Sequence, residues 1–317
     1  MNPEIPADAR EFGETARKAF EKLGGVDAAR RAEEDHAFRA EVGAVLTALG
    51  VDDIDPRADL DTLAAAAALC FEAGRVVLPY PVVGALLSDG SGVPFAVVPD
   101  GRARIDHGDL FPAWRVATLS GDASIASIAS DPSPALGSRL GPFVADLPTV
   151  RTNALDNSGH DASIALTLTG WQILGAVDRS VELAADHVSN RIQFGKPIAT
   201  FQAVQFMLAD AAVAVAGLRE LARFTLWRVA TEPFQASPDV LALRVHALDT
   251  ARAVLRTCQQ LHGASGVCDE YDISVITRHI QPALRMPFGA ERTAALLAEA
   301  ISDVGFVGLF PHGGAHA

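Results

Sequence analysis

A chain of 317 residues is long enough for two or three domains around sizeable cores. Its net charge of −13 excludes a general nucleic-acid binder, which needs a basic face, and argues against an anionic membrane surface as partner; 49% hydrophobic residues with 6% aromatics is the texture of a helix-rich soluble protein. The longest apolar run, LAAAAALCF at Leu63–Phe71, is too short to span a bilayer, the opening MNPEIPADAREF has no secretion-signal pattern, and Cys70, Cys258 and Cys268 form neither a disulfide framework nor a CxxC, so a reducing cytoplasm is the expected setting.

Apolar positions three and four apart predict helices over Asp8–Leu23, Asp27–Leu49 and Leu60–Gly74, with Gly74 as a C-terminal cap and EAGRVVLPYP (Glu72–Pro81) as the exit from this block. Between Gly90 and Thr152 the texture turns β-prone. VPFAVVPDGRARI reads as a hairpin turning at Asp100-Gly101, WRVAT and SIASIAS as further strands, and 131–142 as a Pro- and Gly-rich tail. From about Ser163 the chain is helical again. Ile173, Leu174, Val177, Val181, Ala184 and Val188 form one apolar stripe; Val204, Met207, Leu208, Ala211, Val215 and Leu218 form another, in a helix ending at Thr231. Ser237-Pro238-Asp239 reads as a helix start with Ser237 as N-cap, that helix ends at Gly263, and a last helix covers Gly289–Asp303 ahead of a Gly-rich tail. The expected fold is mainly α: an N-terminal helical domain (1–88), a reduced middle β domain (89–158) and a C-terminal antiparallel four-helix bundle (159–317).

Generic catalytic patterns are absent: no GxGxxG after a strand, no GxxxxGK[ST], no HExxH or spaced Cys/His set for a metal, and no GxSxG. The nine histidines are scattered, with His312 and His316 in the tail, and each reads first as a solvated or core-satisfied ring. One stretch asks for more. In RIQFGKPIATFQ (Arg191–Gln202), Gly195 and Pro197 account for a corner between helices, but the Arg, Gln and Phe before the Gly and the Phe-Gln after it are not needed to turn the chain.

Together with QLHGASG (Gln260–Gly266) and EAGRVVLPYP, this stretch resembles the acyl-CoA dehydrogenase family of flavoproteins. The corner matches the family's R-x-x-F-G-x-x-I-x-x-x-Q, QLHGASG sits at its Q-x-x-G-G-x-G with Ala264 at the second Gly, and the helix–β–helix order agrees. The resemblance implies that the bundle reaches across to the adenine and pyrophosphate half of a neighbour's FAD. Arg191 would pair with the pyrophosphate, Gln193 and Phe194 would line the nucleotide, Gln202 would bond nearby, and Gln260 with the backbone of Leu261, Gly263 and Ala264 would hold the adenosine end. The plain structural alternative is a helix corner, with Arg191 paired to a nearby acid and Gln260 capping a helix.

The family removes an α proton from an acyl-CoA thioester with a Glu, either in the loop before the last helix or on the first bundle helix. Here those positions fall at Phe288, in RMPFGAER, and near Ala165, so both usual bases are missing. Glu291 and Asp161 are the nearest substitutes, each reading first as a cap or a solvated charge. The family's flavin-ring contacts are not matched either: no convincing copy of its β-domain Thr-Asn strand is found, and the Thr and Gln after the Glu correspond to about Ala290 and Arg292. Local flavin contacts are thus expected to be lost and those toward a neighbour's FAD kept. This resembles the non-catalytic chain of actinobacterial heterotetrameric (α2β2) enzymes acting on steroid side-chain CoA thioesters. It implies a longer partner subunit carrying the Glu, an acyl-CoA substrate and an electron-transferring flavoprotein as acceptor. Two alternatives stay open: a self-sufficient homo-oligomeric dehydrogenase using a displaced acid, and a non-enzymatic helical scaffold that has lost flavin.

Overall fold

Spacing dictates the N-terminal helices. In the computed structural model, which describes residues 4–99, 103–119, 123–127, 140–151, 158–233 and 235–304, α1 (Ala7–Lys22) buries Ala9, Gly13, Ala16 and Phe20, three and four apart. The stretch expected as one helix from Asp27 to Leu49 is two, α2 (Asp27–Glu34) and α3 (Phe38–Ala48). Asp35 is extended at the break, and its side chain accepts from the Ala37 N–H at 3.0 Å, a local turn that competes with helix continuation. Helix α4 (Leu60–Arg75) opens with a capping box: Asp59 Oδ1 accepts from the Thr62 N–H at 2.8 Å while Thr62 Oγ1 accepts from the Asp59 N–H at 3.3 Å.

Gly74 does not cap α4, contrary to the sequence expectation. The helix continues through it, and the cap is a Schellman arrangement in which the Leu78 N–H donates to the Ala73 carbonyl (2.8 Å) and the Val77 N–H to that of Gly74 (3.1 Å), with Val77 left-handed at φ 44°. Gly74 instead lets two backbones touch. A Cβ added there would lie 1.9 Å from the Gln172 carbonyl oxygen, and one added at Gly175 would lie 1.9 Å from that of Phe71. This crossing joins α4 to α6 (Ser158–Asn190), and Arg75 bonds Asp178 (2.5 Å) and Glu182 (2.7 Å) beside it. After α4 comes a short α5 (Val82–Leu86), not foreseen from the sequence.

The β region departs from the expected hairpin. Strand β1 (Phe95–Val97) pairs in parallel with β3 (Ala113–Ala117), not with β2 (Ala103–Asp106), which pairs antiparallel with β5 (Val144–Leu147). The four-stranded sheet has the order β1-β3-β4-β6, with β4 (Ala123–Ser127) and β6 (Thr149–Arg151) antiparallel to their neighbours. Trp114, Val116, Ala103, Ile105, Val98 and Ala126 bury together between the sheets, and that side-chain match outweighs the short turn. The Asp100-Gly101 turn, 128–139 and the C-terminal tail with His312 and His316 lie outside the described residues.

The C-terminal part packs α6, α7 (Gln202–Thr231), α8 (Ser237–His262) and α11 (Ala290–Val304), with short α9 (Asp272–His279) and α10 (Gln281–Arg285) before the last. The α6 stripe is as expected, Val181 being the one half-buried member; each fully buried Ile, Leu or Val contributes about 2 kcal/mol. Ser237 is the first helical residue of α8, not its cap, and Asp239 is buried against Arg228 (2.9 Å). N- and C-terminal helices share one core, which runs from Ala9 to Ile280.

Candidate functional site

The corner is a miniature hairpin. Strands β7 (Ile192–Gln193) and β8 (Lys196–Pro197) pair antiparallel around Phe194 and Gly195, at φ 52° and 78°. A primed two-residue turn needs positive φ at both centres. Gly195 accepts that freely. Phe194 does not, and it is nonetheless held there with its ring 90% exposed, edge-on to Phe201 at 6.1 Å. Strained, solvent-facing aromatics are features of contact sites. Phe194→Gly is expected to stabilise the unbound protein by about 1 kcal/mol, measured as a rise in thermal midpoint.

Helix α6 leads up to the corner, and α8, two helices on, runs the same way, so their C-terminal ends meet. His187, one turn before Arg191, stacks on His262 at 4.4 Å, with Tyr271 edge-on to both (6.3 and 6.4 Å). His262 Nδ1 is 2.7 Å from the Cys258 carbonyl, which fixes the ring. Burial first, then the neighbouring His262 and Arg191, hold the His187 pKa below its ordinary value. Arg191, Gln193, Gln202, Gln260, Gly263 and Ala264 are all exposed and Leu261 is buried. No hydrogen bond or ion pair of the Arg191 side chain is found among the described residues. Gly263, at φ 63°, turns the chain out of α8. Sequence reading missed the His187–His262–Tyr271 cluster; His187 lies one helical turn from the motif Arg, but only the fold shows that α8 ends beside it.

The positions of the family's bases lie elsewhere. Ala165 of α6 lines an apolar cleft walled also by Tyr80, Phe95, Trp114, Ile280 and Met286. Phe288 sits in the loop before α11, and the buried Arg244 clamps this loop, its Nη2 donating to the Met286 and Phe288 carbonyls at 2.7 Å each. Arg244 Nε is sealed without a partner, and burial lowers this guanidinium to about 10. No sequence signal marked Arg244. Glu291 and Arg292 are exposed in the first turn of α11, and Ala290 is half-buried.

Asp161 faces away from the cleft, into a polar depression. Arg57 Nε and Nη2 donate to its two oxygens at 2.7 and 3.1 Å, Arg115 Nη2 donates at 3.0 Å, and both guanidiniums also donate to the Leu87 carbonyl. Both oxygens of this carboxylate are thus engaged by guanidiniums, and it does not line the apolar cleft. Among the described residues no group of three His, Cys, Asp or Glu could hold a metal ion, and no helix is long and apolar enough to cross a membrane.

The corner lies within a stretch similar to known proteins. Residues 167–297 match the family model described as acyl-CoA dehydrogenase, C-terminal domain. The C-terminal part of the chain belongs to the acyl-CoA dehydrogenase family. FadE28 of Mycobacterium tuberculosis is 31% identical over 155 residues, 49% of this chain and 43% of that protein; IpdE2 of Mycolicibacterium smegmatis is 29% identical over 234 residues, 67% and 71%. The match to FadE28 thus spans less than half of that protein's length. The fold is that of the ChsE4-ChsE5 complex from Mycobacterium tuberculosis (TM-score 0.78, 18% identity, 96% of this chain and 99% of that one) and of the Tcur3481-Tcur3483 steroid acyl-CoA dehydrogenase (0.80, 19%, 94% and 99%). The family's members are flavin-dependent oxidoreductases that use FAD.

Proposed function

We propose that this chain is a subunit of an FAD-dependent acyl-CoA dehydrogenase that grips the adenine and pyrophosphate end of the cofactor, while a longer partner subunit supplies the catalytic Glu. The observation that carries the reading is the bundle end. There Arg191, Gln193 and Phe194 on the corner and Gln260 near the end of α8 are all exposed, the guanidinium has no partner among the described residues, and the stacked His187–His262 pair joins the two helix ends. A planar, permanently charged fork suits phosphate oxygens, the exposed Phe194 ring offers a wall to a nucleotide base, and the backbone at Gly263 and Ala264 admits close approach. The donor set fits the dinucleotide end of FAD. Bound FAD would supply the hydride acceptor of the α,β-dehydrogenation.

The missing base supports a partner. Where the family places its Glu, this chain has a cleft-lining alanine (Ala165) and a phenylalanine (Phe288). Asp161 is occupied by two arginines, which argues against the displaced-acid alternative. Helix α7 also leaves a face uncovered: Phe206 is 60% and Val213 72% exposed, two turns apart. An apolar strip of this kind on a bundle suits packing against a second subunit. The substrate under this reading is an acyl-CoA thioester, with a bulky steroid side-chain CoA favoured by the steroid-type enzyme among the fold neighbours, and an electron-transferring flavoprotein as the acceptor.

Co-expression with a longer acyl-CoA dehydrogenase chain carrying the loop Glu tests this. The complex should be yellow and active, and this chain alone colourless or poorly folded. Arg191→Ala should weaken FAD retention by the complex about tenfold or more, the loss of a charge-assisted contact, with assembly intact by size-exclusion chromatography. Recovery of a fully flavinated, active homo-oligomer would reject the proposal.

A further inference from the structure

The two halves of the bundle end meet through one pair of rings. On α6 the Arg191 N–H donates to the His187 carbonyl at 2.9 Å, which places these residues one helical turn apart on the same side. On α8 His262 is the last helical residue, and the 3-10 turn Gly263–Val267 hangs from it: Ser265 Oγ donates to the His262 carbonyl at 3.0 Å, and Gln259 Nε2 to that of Gly266 at 3.3 Å. The two imidazoles stack at 4.4 Å with 28° between their planes, and Tyr271 stands edge-on to both. A carbonyl only accepts, so the 2.7 Å contact of His262 Nδ1 with the Cys258 carbonyl puts a hydrogen on that nitrogen. No hydrogen bond or ion pair of the His187 ring is found among the described residues.

We propose that the His187–His262 stack is a positioning element for bound FAD: it ties Arg191 to the turn at Gly263–Ala264, and His187 takes a proton from solvent when the cofactor's diphosphate reaches Arg191. This rests on the cofactor reading above and adds to it the residues that hold the two halves together. Of the two rings, His187 is the one able to accept the proton. His262 is buried with its Nδ1 hydrogen committed, whereas His187 is half-buried and reaches solvent. The other charged groups nearby are engaged or turned outward. Asp272 pairs with Arg30 (3.0 Å), Asp269 with Arg278 (2.6 Å), and Lys196 lies over the Phe201 ring (4.6 Å). Asp186 and Glu270 are exposed, and burial keeps the Cys258 thiol neutral, pushed up to about 12. Arg191 is therefore the charge that an arriving anion would neutralise beside His187.

The sign follows from those neighbours. Without an anion, burial first, then His262 and Arg191, hold His187 below its ordinary value, so the ring is neutral at neutral pH. A diphosphate on Arg191 cancels the repulsion from that guanidinium and attracts an imidazolium, which raises the His187 value in the bound state. Binding is then strongest at low pH and weakens as pH rises through the raised value. The dinucleotide keeps a constant charge across the same range, so the dependence belongs to the protein.

The test titrates FAD into the flavin-stripped complex of this chain with its co-expressed longer partner, by calorimetry in HEPES and in Tris, whose different ionisation heats reveal proton uptake. FAD should bind about threefold or more tightly at about pH 6 than at about pH 8, with net proton uptake. His187→Phe keeps a flat ring for the stack but cannot take a proton. It should bind FAD as the unsubstituted complex does at about pH 8, with that uptake and that pH dependence removed. His187→Ala should bind about threefold or more weakly at about pH 8, the loss of a ring stack. Size-exclusion chromatography and thermal melting should show each complex assembled and folded. The same pH dependence and uptake with His187→Phe, or unchanged affinity with His187→Ala, would overturn this proposal alone where Arg191→Ala still weakens FAD binding. FAD binding indifferent to Arg191→Ala, or a complex that holds no FAD, would overturn the cofactor reading and this proposal with it.

Discussion

Asp161→Ala is expected to destabilise the protein by about 3–5 kcal/mol, the range for removing one member of a buried ion pair, read as a shift in denaturant midpoint. The Asp161 side chain is 2% exposed, and those of Arg115 and Arg57 are 10% and 25% exposed. Its loss strands at least the Arg115 charge, which then keeps the Leu87 carbonyl at 3.2 Å and the face of the Phe95 ring but no carboxylate bonded to it among the described residues. The three residues come from the loop before α4, from β3 and from the first turn of α6, so this ion triad clasps the N-terminal helices, the sheet and the bundle at one point. The stranded charge, not the lost attraction, dominates the cost. Asp161→Ala combined with Arg115→Leu should therefore recover part of it, which a simple additive loss of contacts would not allow. Glu291→Ala, at an exposed position on α11, should change stability by no more than about 0.5 kcal/mol. A cost for Asp161→Ala below about 1 kcal/mol would show that the clasp is not structural.

Gly175→Val should cost about 3 kcal/mol or more, at or beyond the upper end for overpacking. The obstacle is the reason: a Cβ at 175 meets the Phe71 carbonyl at 1.9 Å, a backbone atom of α4 that cannot rotate aside. Restoring contact distance means moving α4 off α6, which opens the core shared by the N-terminal helices and the bundle and disturbs the Arg75 pairs with Asp178 and Glu182. Gly195→Ala gives the contrast. A Cβ there meets nothing within 4 Å, so only its φ of 78° is penalised, at about 1–2 kcal/mol. Thermal unfolding of the two variants separates a steric cost from a conformational one. Equal midpoints would mean that the close crossing does not constrain the helices.

These variants also separate structure from site. Arg191 and Phe194 are exposed and take no part in the core, so their substitution should not destabilise the fold and should act on cofactor retention. Asp161 and Gly175 should do the reverse.

Much of this was written locally in the chain. The period of apolar residues marked α1, α4, α6, α7, α8 and α11, because a helix buries a stripe spaced within a few residues. The corner was legible for the same reason: Gly195 supplies one left-handed position, and the side chains of Arg191, Phe194 and Gln202 are not what a turn requires. The absence of an acid at Ala165 and Phe288 needed only counting. Tertiary structure alone decided the rest. It paired β1 with β3 instead of β2, because burial of Trp114 and Ile105 depends on the opposite sheet. It made Gly74 a crossing point instead of a cap, through Gln172 nearly a hundred residues away. It joined Asp161 to Arg57 across 104 residues and to Arg115 across 46. Backbone conformation responds to near neighbours, whereas burial and charge pairing respond to whatever the fold brings alongside, and only the second determines what a carboxylate can do.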